Sequence, residues 1–429
     1  MLAVALCVFI VVVVMTVMTG LLSDFKQKNH LFVGDCVVGT ESLVGFAYYE
    51  NFVQMLDRTD FIEAVSPVIK SYALKSLRGS EQNDGVEIMG IDPARHSRAT
   101  GFGETLYYHR DDVFKTFEPA YDPNLPGIVL GIDMQLQRDA LSRYTYEGNP
   151  DRTGYSISCF PLTSRGALAQ AGTDMVNTRT FYYSDTSQSG LAKVDGSLAY
   201  LPFEQTQLLC GMAGPVKRIS AIHIKFKPEI KLLDGCEKVF ALWQNFKKQK
   251  ADEKQAYLLD TVRVQNWKDY RRSFIAPLEK EQTVMTVMFA FVAIVIVFIV
   301  FVVFYMIISH KSKDIGILKS IGISSFDVIE LFSGFAFLVG LLGSCIGLFG
   351  GLLFLEYMNR IEDWLFEHFS WQLFDRTIYV IGDIPDQTNA KVLGVIVISA
   401  IVACLAGALV PSWQATRRKP VETLQVNQL

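Results

Sequence analysis

The sequence predicts an α-helical membrane protein with four transmembrane helices and a large extracytoplasmic α+β domain inserted between helices 1 and 2. Three observations predict this fold class: half of the 429 residues are hydrophobic, the uncharged apolar residues fall in four long blocks, and 259 residues separate the first two blocks. The net charge is −4, so the chain as a whole is not basic. This excludes a nucleic-acid binder that works through an overall positive field.

The four apolar blocks are long enough to span a bilayer. They carry no Asp, Glu, Lys or Arg and comprise residues 2–22, 282–309, 331–355 and 392–416. A helix needs roughly 20 apolar residues to cross about 30 Å of hydrocarbon. The first block lacks a preceding basic residue and a small-residue cleavage site, so we interpret it as an anchor and not as a cleaved signal peptide. This block begins at the second residue, which is consistent with a start codon further upstream.

The distribution of basic residues predicts the orientation of these helices. The loop after the second block holds three lysines, and the tail after the fourth block holds Arg417, Arg418 and Lys419. The loop at 356–391 has seven acidic and only three basic residues. Because basic short loops stay in the cytoplasm, we expect both termini to be cytoplasmic and the inserted domain to lie outside.

The chain then divides into eight parts. These are transmembrane helix 1 (1–22), the extracytoplasmic domain (23–276), a stalk with transmembrane helix 2 (277–309), a cytoplasmic coupling helix (310–324), transmembrane helix 3 (325–355), an extracytoplasmic loop (356–391), transmembrane helix 4 (392–416) and a cytoplasmic tail (417–429). Pro277 suits the first position of a helix. Residues 361–371 place apolar side chains on one face, which fits either a short helix in the outer membrane interface or an ordinary packed loop helix.

Short β-rich and helical patterns predict the α+β character of the inserted domain. Strands are predicted at 85–91, 127–133, 156–160, 197–202 and 219–226, and helices at 48–56, 203–210 and 236–247. Four cysteines fall in this domain, Cys36, Cys159, Cys210 and Cys236. In an oxidising compartment they could form one or two disulfides, or they could remain unpaired buried thiols. Their spacing matches no metal motif.

Three common catalytic motifs are absent from the sequence. It contains no Gly-x-Ser-x-Gly, no His-Glu-x-x-His and no phosphate-binding Gly-x-x-x-x-Gly-Lys-Ser/Thr loop. We therefore expect a non-catalytic chain with no catalytic residues, no metal site and no bound cofactor.

The segment between the second and third blocks predicts a short amphipathic helix. Ile315, Leu318 and Ile321 recur every three residues among charged neighbours, and Ser324 with Asp327 fits a capping pair before the third span. Such a helix could rest on the membrane or insert into the groove of a partner.

The same segment resembles a known family signature. Residues 314–324 read Asp-Ile-Gly-Ile-Leu-Lys-Ser-Ile-Gly-Ile-Ser, which is similar to the signature of ABC transporter permeases of the FtsX/MacB superfamily. The tail from Pro411 to Ala415, followed by Pro420 and Leu424, resembles the closing motif of that family. The resemblance implies that the segment is a coupling helix seated on a separate ATPase dimer that binds ATP and Mg²⁺. The implied coupling residues are Lys313, Asp314, Ile315, Gly316, Ile317, Leu318, Lys319, Ile321 and Gly322.

Further stretches resemble the lipoprotein-releasing branch of this superfamily, the LolC/LolE permeases. They are residues 14–20, 185–209 and 266–281. This likeness implies a bacterial inner-membrane location, a second permease chain, and lipoprotein cargo. A periplasmic carrier would dock between Pro161 and Phe181, although this stretch is longer than its family counterpart and lacks the expected prolines. The alternatives are an FtsX-like transducer that activates a cell-wall hydrolase and a MacB-like efflux permease.

Two residue sets in the spans suggest packing and lipid contact. Gly343, Gly347 and Gly351 are spaced four residues apart, so they can let another helix approach closely; we expect the fourth span as the neighbour, with a subunit interface as the alternative. Met15 and Met18 could line a lipid cavity, because flexible thioethers suit varied acyl chains, or they could simply face lipid.

Overall fold

The structure is a computed structural model that describes residues 1–78, 83–136, 144, 152–169, 176–311, 314, 315, 317, 320–369 and 390–417. The described residues form two compact units. The membrane unit consists of Met1–Asp24 and the described residues from Ala276 onward, and the inserted domain consists of the described residues of Phe25–Ile275.

The helices of both units are numbered in chain order. They are α1 (Leu2–Val33), α2 (Tyr49–Asp57), α3 (Pro93–Ala99), α4 (Phe102–Thr105), α5 (Ile132–Gln135), α6 (Ala192–Ser197), α7 (Phe203–Leu209), α8 (Leu232–Gln249), α9 (Trp267–Tyr270), α10 (Arg272–His310), α11 (Ser325–Phe369) and α12 (Ala390–Arg417). Two short 3₁₀ helices cover Val113–Lys115 and Ala256–Thr261.

Four of these helices, α1, α10, α11 and α12, are long and apolar enough to cross a membrane. They pack through a shared apolar core in which Val12, Ala336, Cys404 and Ala408 are fully buried. This confirms the predicted class of a four-helix membrane protein.

The long helices extend beyond the predicted spans. Helix α1 continues to Val33, and α11 continues to Phe369, so the predicted separate helix at 361–371 is wrong: its described residues prolong the third span. No Gly or Pro interrupts the chain between 352 and 369, which explains the continuation. Helix α10 begins at Arg272 and contains Pro277 in its interior, so the predicted start at Pro277 is also wrong. A proline this close to a helix start removes only one backbone hydrogen bond.

The strands of the inserted domain are also numbered in chain order. They are β1 (Cys36–Gly39), β2 (Phe46–Ala47), β3 (Ile62–Leu77), β4 (Asn83–Ile91), β5 (Gly127–Gly131), β6 (Gly154–Cys159), β7 (Asn177–Ser187), β8 (Leu198–Pro202), β9 (Arg218–Ile219), β10 (Ala221–Phe226) and β11 (Arg263–Asn266). All the predicted strands and helices of this domain are present with shifted ends, except that the end of the 127–133 prediction is the short helix α5.

A nine-stranded mixed sheet organises the inserted domain. Its order is β11-β1-β10-β3-β4-β8-β5-β7-β6, and an additional pairing of β3 with β6 closes the last six strands on themselves. Apolar clusters cover both faces: one includes Phe52, Trp243 and Phe246, and the other includes Trp267 and Ile275. The first strand β1 lies between β10 and the last strand β11, so the two ends of the domain meet in the sheet.

Candidate functional site

The first candidate region is the linker segment, residues 310–324 between α10 and α11. Its described backbone is helical in part, because Ile315 N–H donates to Lys311 O at 3.0 Å and Ile321 N–H donates to Ile317 O at 3.1 Å. Four of the predicted coupling residues lie outside the described residues, namely Lys313, Gly316, Leu318 and Lys319.

One side of the linker segment is held by its own chain. Ile315 is buried against Ile308 at the end of α10 and Val328 at the start of α11. The predicted capping pair is confirmed: Ser324 N–H donates to the Asp327 carboxylate at 3.0 Å, and Asp327 N–H donates to Ser324 Oγ at 3.2 Å. Both contacts fix where α11 begins.

Gly322 makes the turn that leads into this cap. Its φ is +105°, a conformation that L side chains rarely adopt, and no atom lies within 4 Å of where its Cβ would be. The position therefore needs glycine for its backbone conformation and not for space.

Two other described apolar residues of the linker segment are exposed. Ile317 is 50% exposed and Ile321 is 76% exposed, and we call these two residues the linker patch. Asp314 pairs with Lys311 at 2.9 Å between two exposed side chains, an interaction that contributes little energy. The linker segment is thus anchored through Ile315 and presents apolar side chains elsewhere.

The second candidate region is the contact between α11 and α1. A Cβ on Gly347 would lie 2.5 Å from Ala5 O, and one on Gly351 would lie 2.9 Å from the side chain of Val12. Gly343 likewise approaches Val4. The expected neighbour, the fourth span, is therefore wrong for these glycines, since the first span lies against them. Residue spacing defines the face of a helix but does not identify the helix that covers it.

An apolar groove of about 540 Å³ lies beside this contact. It is lined by Phe9 of α1 and by α11 residues that include Phe354, Tyr357 and Trp364. Met15 and Met18 are half-buried and are not among its lining residues. A groove with this lining suits an acyl chain, and sequence reasoning missed it because its residues come from two distant helices.

The third candidate region is the helix clamp, formed by Asn29 and Phe32 of α1 with Arg271, which directly precedes α10, and Phe274 in the first turn of α10. Arg271 Nε donates to Asn29 Oδ1 at 2.7 Å, and Asn29 is fully buried. The Arg271 guanidinium also lies 4.0 Å from the Phe274 ring centroid and 5.0 Å from that of Phe32. Burial lowers the pKa of Arg271 to about 10.

A second set of contacts supports the clamp. The imidazole of His30 stacks on Trp267 with ring centroids 4.8 Å apart and lies 2.7 Å from Asp35 Oδ1. The Asn266 side chain caps α9 by accepting from Asp269 N–H at 2.9 Å. Inside the domain, the end of α1 is thus fixed to the residues that begin α10. The sequence gives no signal for the pairing of Asn29 with Arg271, because 242 residues separate them.

Among the described residues, no group of three or more His, Cys, Asp or Glu side chains is arranged to hold a metal ion. The three candidate regions contain helix contacts and exposed apolar surface, and what they can do is bind other helices, partner proteins and lipid.

The described residues thus combine four helices long and apolar enough to cross a membrane with a sheet-rich domain inserted between the first two. Residues 286–420 match the family model described as FtsX-like permease C-terminal. The LolC relatives of the chain are named lipoprotein-releasing system transmembrane protein LolC: the protein of Xylella fastidiosa (strain 9a5c) is 22% identical, over 99% of this chain and 92% of that protein. The protein of Neisseria meningitidis serogroup B is 21% identical, over 98% and 92%.

Among solved structures, the periplasmic region of MacB from Actinobacillus actinomycetemcomitans is similar with a TM-score of 0.32 and 11% identity. The match covers 58% of this chain and 97% of that structure. This likeness is weak.

Proposed function

We propose that this chain is the permease subunit of an inner-membrane machine that releases lipoproteins, driven by a separate ATPase dimer. The observation that carries this proposal is the similarity, over 99% of the chain, to proteins named for a lipoprotein-releasing system. A second permease chain, identical or different, completes the enclosure, and both termini face the cytoplasm. ATP and Mg²⁺ bind the partner ATPase, and no catalytic step occurs on this chain.

The linker patch is the proposed docking surface for the ATPase. Ile317 and Ile321 are exposed although the segment is anchored by Ile315, so docking requires no unfolding of the linker. A soluble partner can gain by covering this apolar surface, at about 25 cal/mol for each Å² removed from water. Lys311 and Asp314, which are exposed in the same segment, would add orientation more than affinity.

Helix α10 is the proposed transmission element. It is continuous over 39 residues from Arg272 to His310, which corresponds to about 58 Å at 1.5 Å per residue. Its start lies in the helix clamp, and the linker segment follows its end. A displacement of the linker segment by the ATPase would therefore act on the clamp through a single rigid helix.

The proposed removal of a lipid anchor from the membrane requires an external energy source. Withdrawing a lipid anchor from a bilayer costs about 0.8 kcal/mol for each buried methylene. The groove beside Phe9 and Phe354 offers apolar surface on which an acyl chain could be held during this transfer, which would lower the cost of each step.

The docking proposal is tested with Ile321→Asp, and with Ile321→Leu as a matched control that keeps the apolar surface. Because Ile321 is 76% exposed, neither change should affect folding. We expect the aspartate variant to lose co-purification of the ATPase and the leucine variant to retain it. Equal recovery of the ATPase with both variants would contradict docking at the linker patch.

The cargo proposal is tested by depleting the chain and following lipoproteins. We expect them to accumulate in the inner membrane. The FtsX-like family match at residues 286–420 supports a second candidate, a transducer that activates a cell-wall hydrolase without moving cargo. Depletion would then leave lipoprotein sorting normal and impair cell-wall cleavage, and this result would replace the first proposal by the second.

A further inference from the structure

The four cysteines of the inserted domain are brought together in two pairs. Cys159 Sγ lies 3.8 Å from Cys210 Sγ, although 51 residues separate them in the chain. Helix α8, which carries Cys236, packs against β1, which begins with Cys36, and both cysteines belong to the same apolar cluster.

Each pair joins elements that are positioned by other contacts. Cys159 ends β6, and Cys210 follows α7; beside them, Leu162 N–H donates to Cys210 O at 3.3 Å. Cys36 begins β1, which is hydrogen-bonded on both sides, and Cys236 lies in α8. The backbone therefore brings the thiols together, and their proximity does not depend on attraction between the sulfur atoms.

We propose that Cys159 forms a disulfide with Cys210 and that Cys36 forms a disulfide with Cys236 in the mature protein. This assignment goes beyond lipoprotein release and depends only on the placement of the inserted domain outside the cytoplasm, where disulfides persist. The oxidant is a disulfide of another molecule, either an oxidoreductase or a small disulfide compound.

The reaction is thiol–disulfide exchange in two steps. A thiolate of one pair attacks a sulfur of the oxidant, forms a mixed disulfide and releases one thiolate of the oxidant. The second cysteine then attacks the first cysteine's sulfur, which forms the internal disulfide and releases the other thiolate. Two electrons and two protons pass from the pair to the oxidant, which leaves as a dithiol.

The local electrostatics distinguish the attacking thiols. A hydrogen bond from Cys210 lowers the pKa of Cys159 to about 7, and the hydrogen bond with Cys36 lowers the pKa of Cys236. The thiolate is the nucleophile in exchange. Cys236 is partly exposed, whereas both cysteines of the other pair are buried. In the folded protein only the Cys36–Cys236 pair is open to exchange, and the Cys159–Cys210 bond must form before the domain closes.

The test maps the thiols of the full chain in its native membrane. Cells are quenched in acid, free thiols are blocked with N-ethylmaleimide in denaturant, and the protein is then reduced and treated with an isotopically heavy form of the reagent. We expect the heavy label on the four cysteines of the inserted domain and the light label on Cys7, Cys345 and Cys404. Peptides linked through 159–210 and 36–236 should appear before reduction. Light label on all four, or linkage in another pattern, would overturn the proposal.

Two variants sharpen the result. Cys159→Ser should move Cys210 to the light label and leave the other pair heavy, while Cys345→Ser, the control, should change nothing else. If Cys159→Ser leaves Cys210 heavy, the pairing is wrong. Proteolysis of intact spheroplasts reports independently whether the inserted domain is outside, so an error in orientation is distinguished from an error in pairing.

Reduction of the folded wild-type chain needs no variant. A mild reductant should open the Cys36–Cys236 bond first, because Cys236 is partly exposed. Simultaneous opening of both bonds in the folded protein would contradict the assigned difference in access.

Discussion

If the proposed function holds, replacing Arg271 by methionine should abolish lipoprotein release while changing the stability of the protein little. Methionine keeps an unbranched apolar side chain and removes the guanidinium. Arg271 is 9% exposed and is the donor to the fully buried Asn29 at 2.7 Å. The change therefore breaks the contact between α1 and the start of α10 at one defined point.

The magnitude follows from two opposing effects. Burial lowers the pKa of Arg271 from 12.5 to about 10, and at about 1.4 kcal/mol for each tenfold change in proton affinity, keeping the group charged costs about 3 kcal/mol. Removing it relieves that cost. In return, a hydrogen bond to a charged group, worth about 1.5–3 kcal/mol, is lost. Cation–π contacts with Phe32 and Phe274, worth about 0.5–2 kcal/mol, are also lost.

These effects nearly cancel, so the free energy of unfolding should change by no more than about 2 kcal/mol. We therefore expect the loss of Arg271 to affect the proposed transmission between the two helices more than the stability of the protein. The assay compares thermal unfolding with ATP-dependent release of a lipoprotein from proteoliposomes. Arg272→Met is the matched control, because the neighbouring arginine is exposed and should affect neither measurement.

Two results would refute this reasoning. Release at the wild-type rate in Arg271→Met would show that the clamp does not transmit motion. A loss of stability well above about 4 kcal/mol would show that Arg271 has a structural role in folding, and the loss of release would then need no mechanical explanation.

Three further predictions concern stability. Burial and the charge of Lys70 lower the pKa of His96 to about 3, and the pKa of His223 is lowered in the same direction. Below pH 6.5 the unfolded chain therefore binds more protons than the folded chain, and His96 alone should lower the free energy of unfolding by about 2 kcal/mol between pH 7 and pH 5. Denaturant titration at several pH values measures this loss, and stability that rises on acidification would contradict it. Gly322→Ala should destabilise the linker segment by about 1 kcal/mol, because alanine is strained at the positive φ of this position. Local hydrogen exchange should become faster, and unchanged exchange would contradict this backbone strain. Gly347→Leu should separate α11 from α1 and lower the melting temperature, while Gly394→Leu, where nothing lies within 4 Å, should not.

The sequence predicts those helices and strands whose hydrophobic pattern lies within a short run of neighbouring residues. The four apolar blocks predicted the spans, and alternating β-rich runs predicted β4, β8 and β10. Strand β3 was missed because Pro67 interrupts it and a proline argues against a strand interior. Strand β7 was missed because it begins with the polar sequence Asn177-Thr-Arg-Thr, and its register comes from pairing with β5 and β6.

In the candidate site, too, local contacts could be predicted from the sequence and contacts between distant elements could not. The capping pair of Ser324 and Asp327 was predictable, since its partners are three residues apart. The partner of the glycines on α11 and the partner of Arg271 were not predictable, because each depends on which distant helix arrives at that face. Sequence spacing describes one surface of a contact, and tertiary packing supplies the other.

The pairing of the first and last strands brings the two connections of the inserted domain close together. Cys36 in β1 pairs with Asn266 in β11, so the chain leaves the inserted domain next to where it entered. This neighbourhood allows Asn29 and Arg271 to meet across 242 residues. Because both connections are fixed in one sheet and one clamp, relative sliding of α1 and α10 inside the domain would break buried hydrogen bonds.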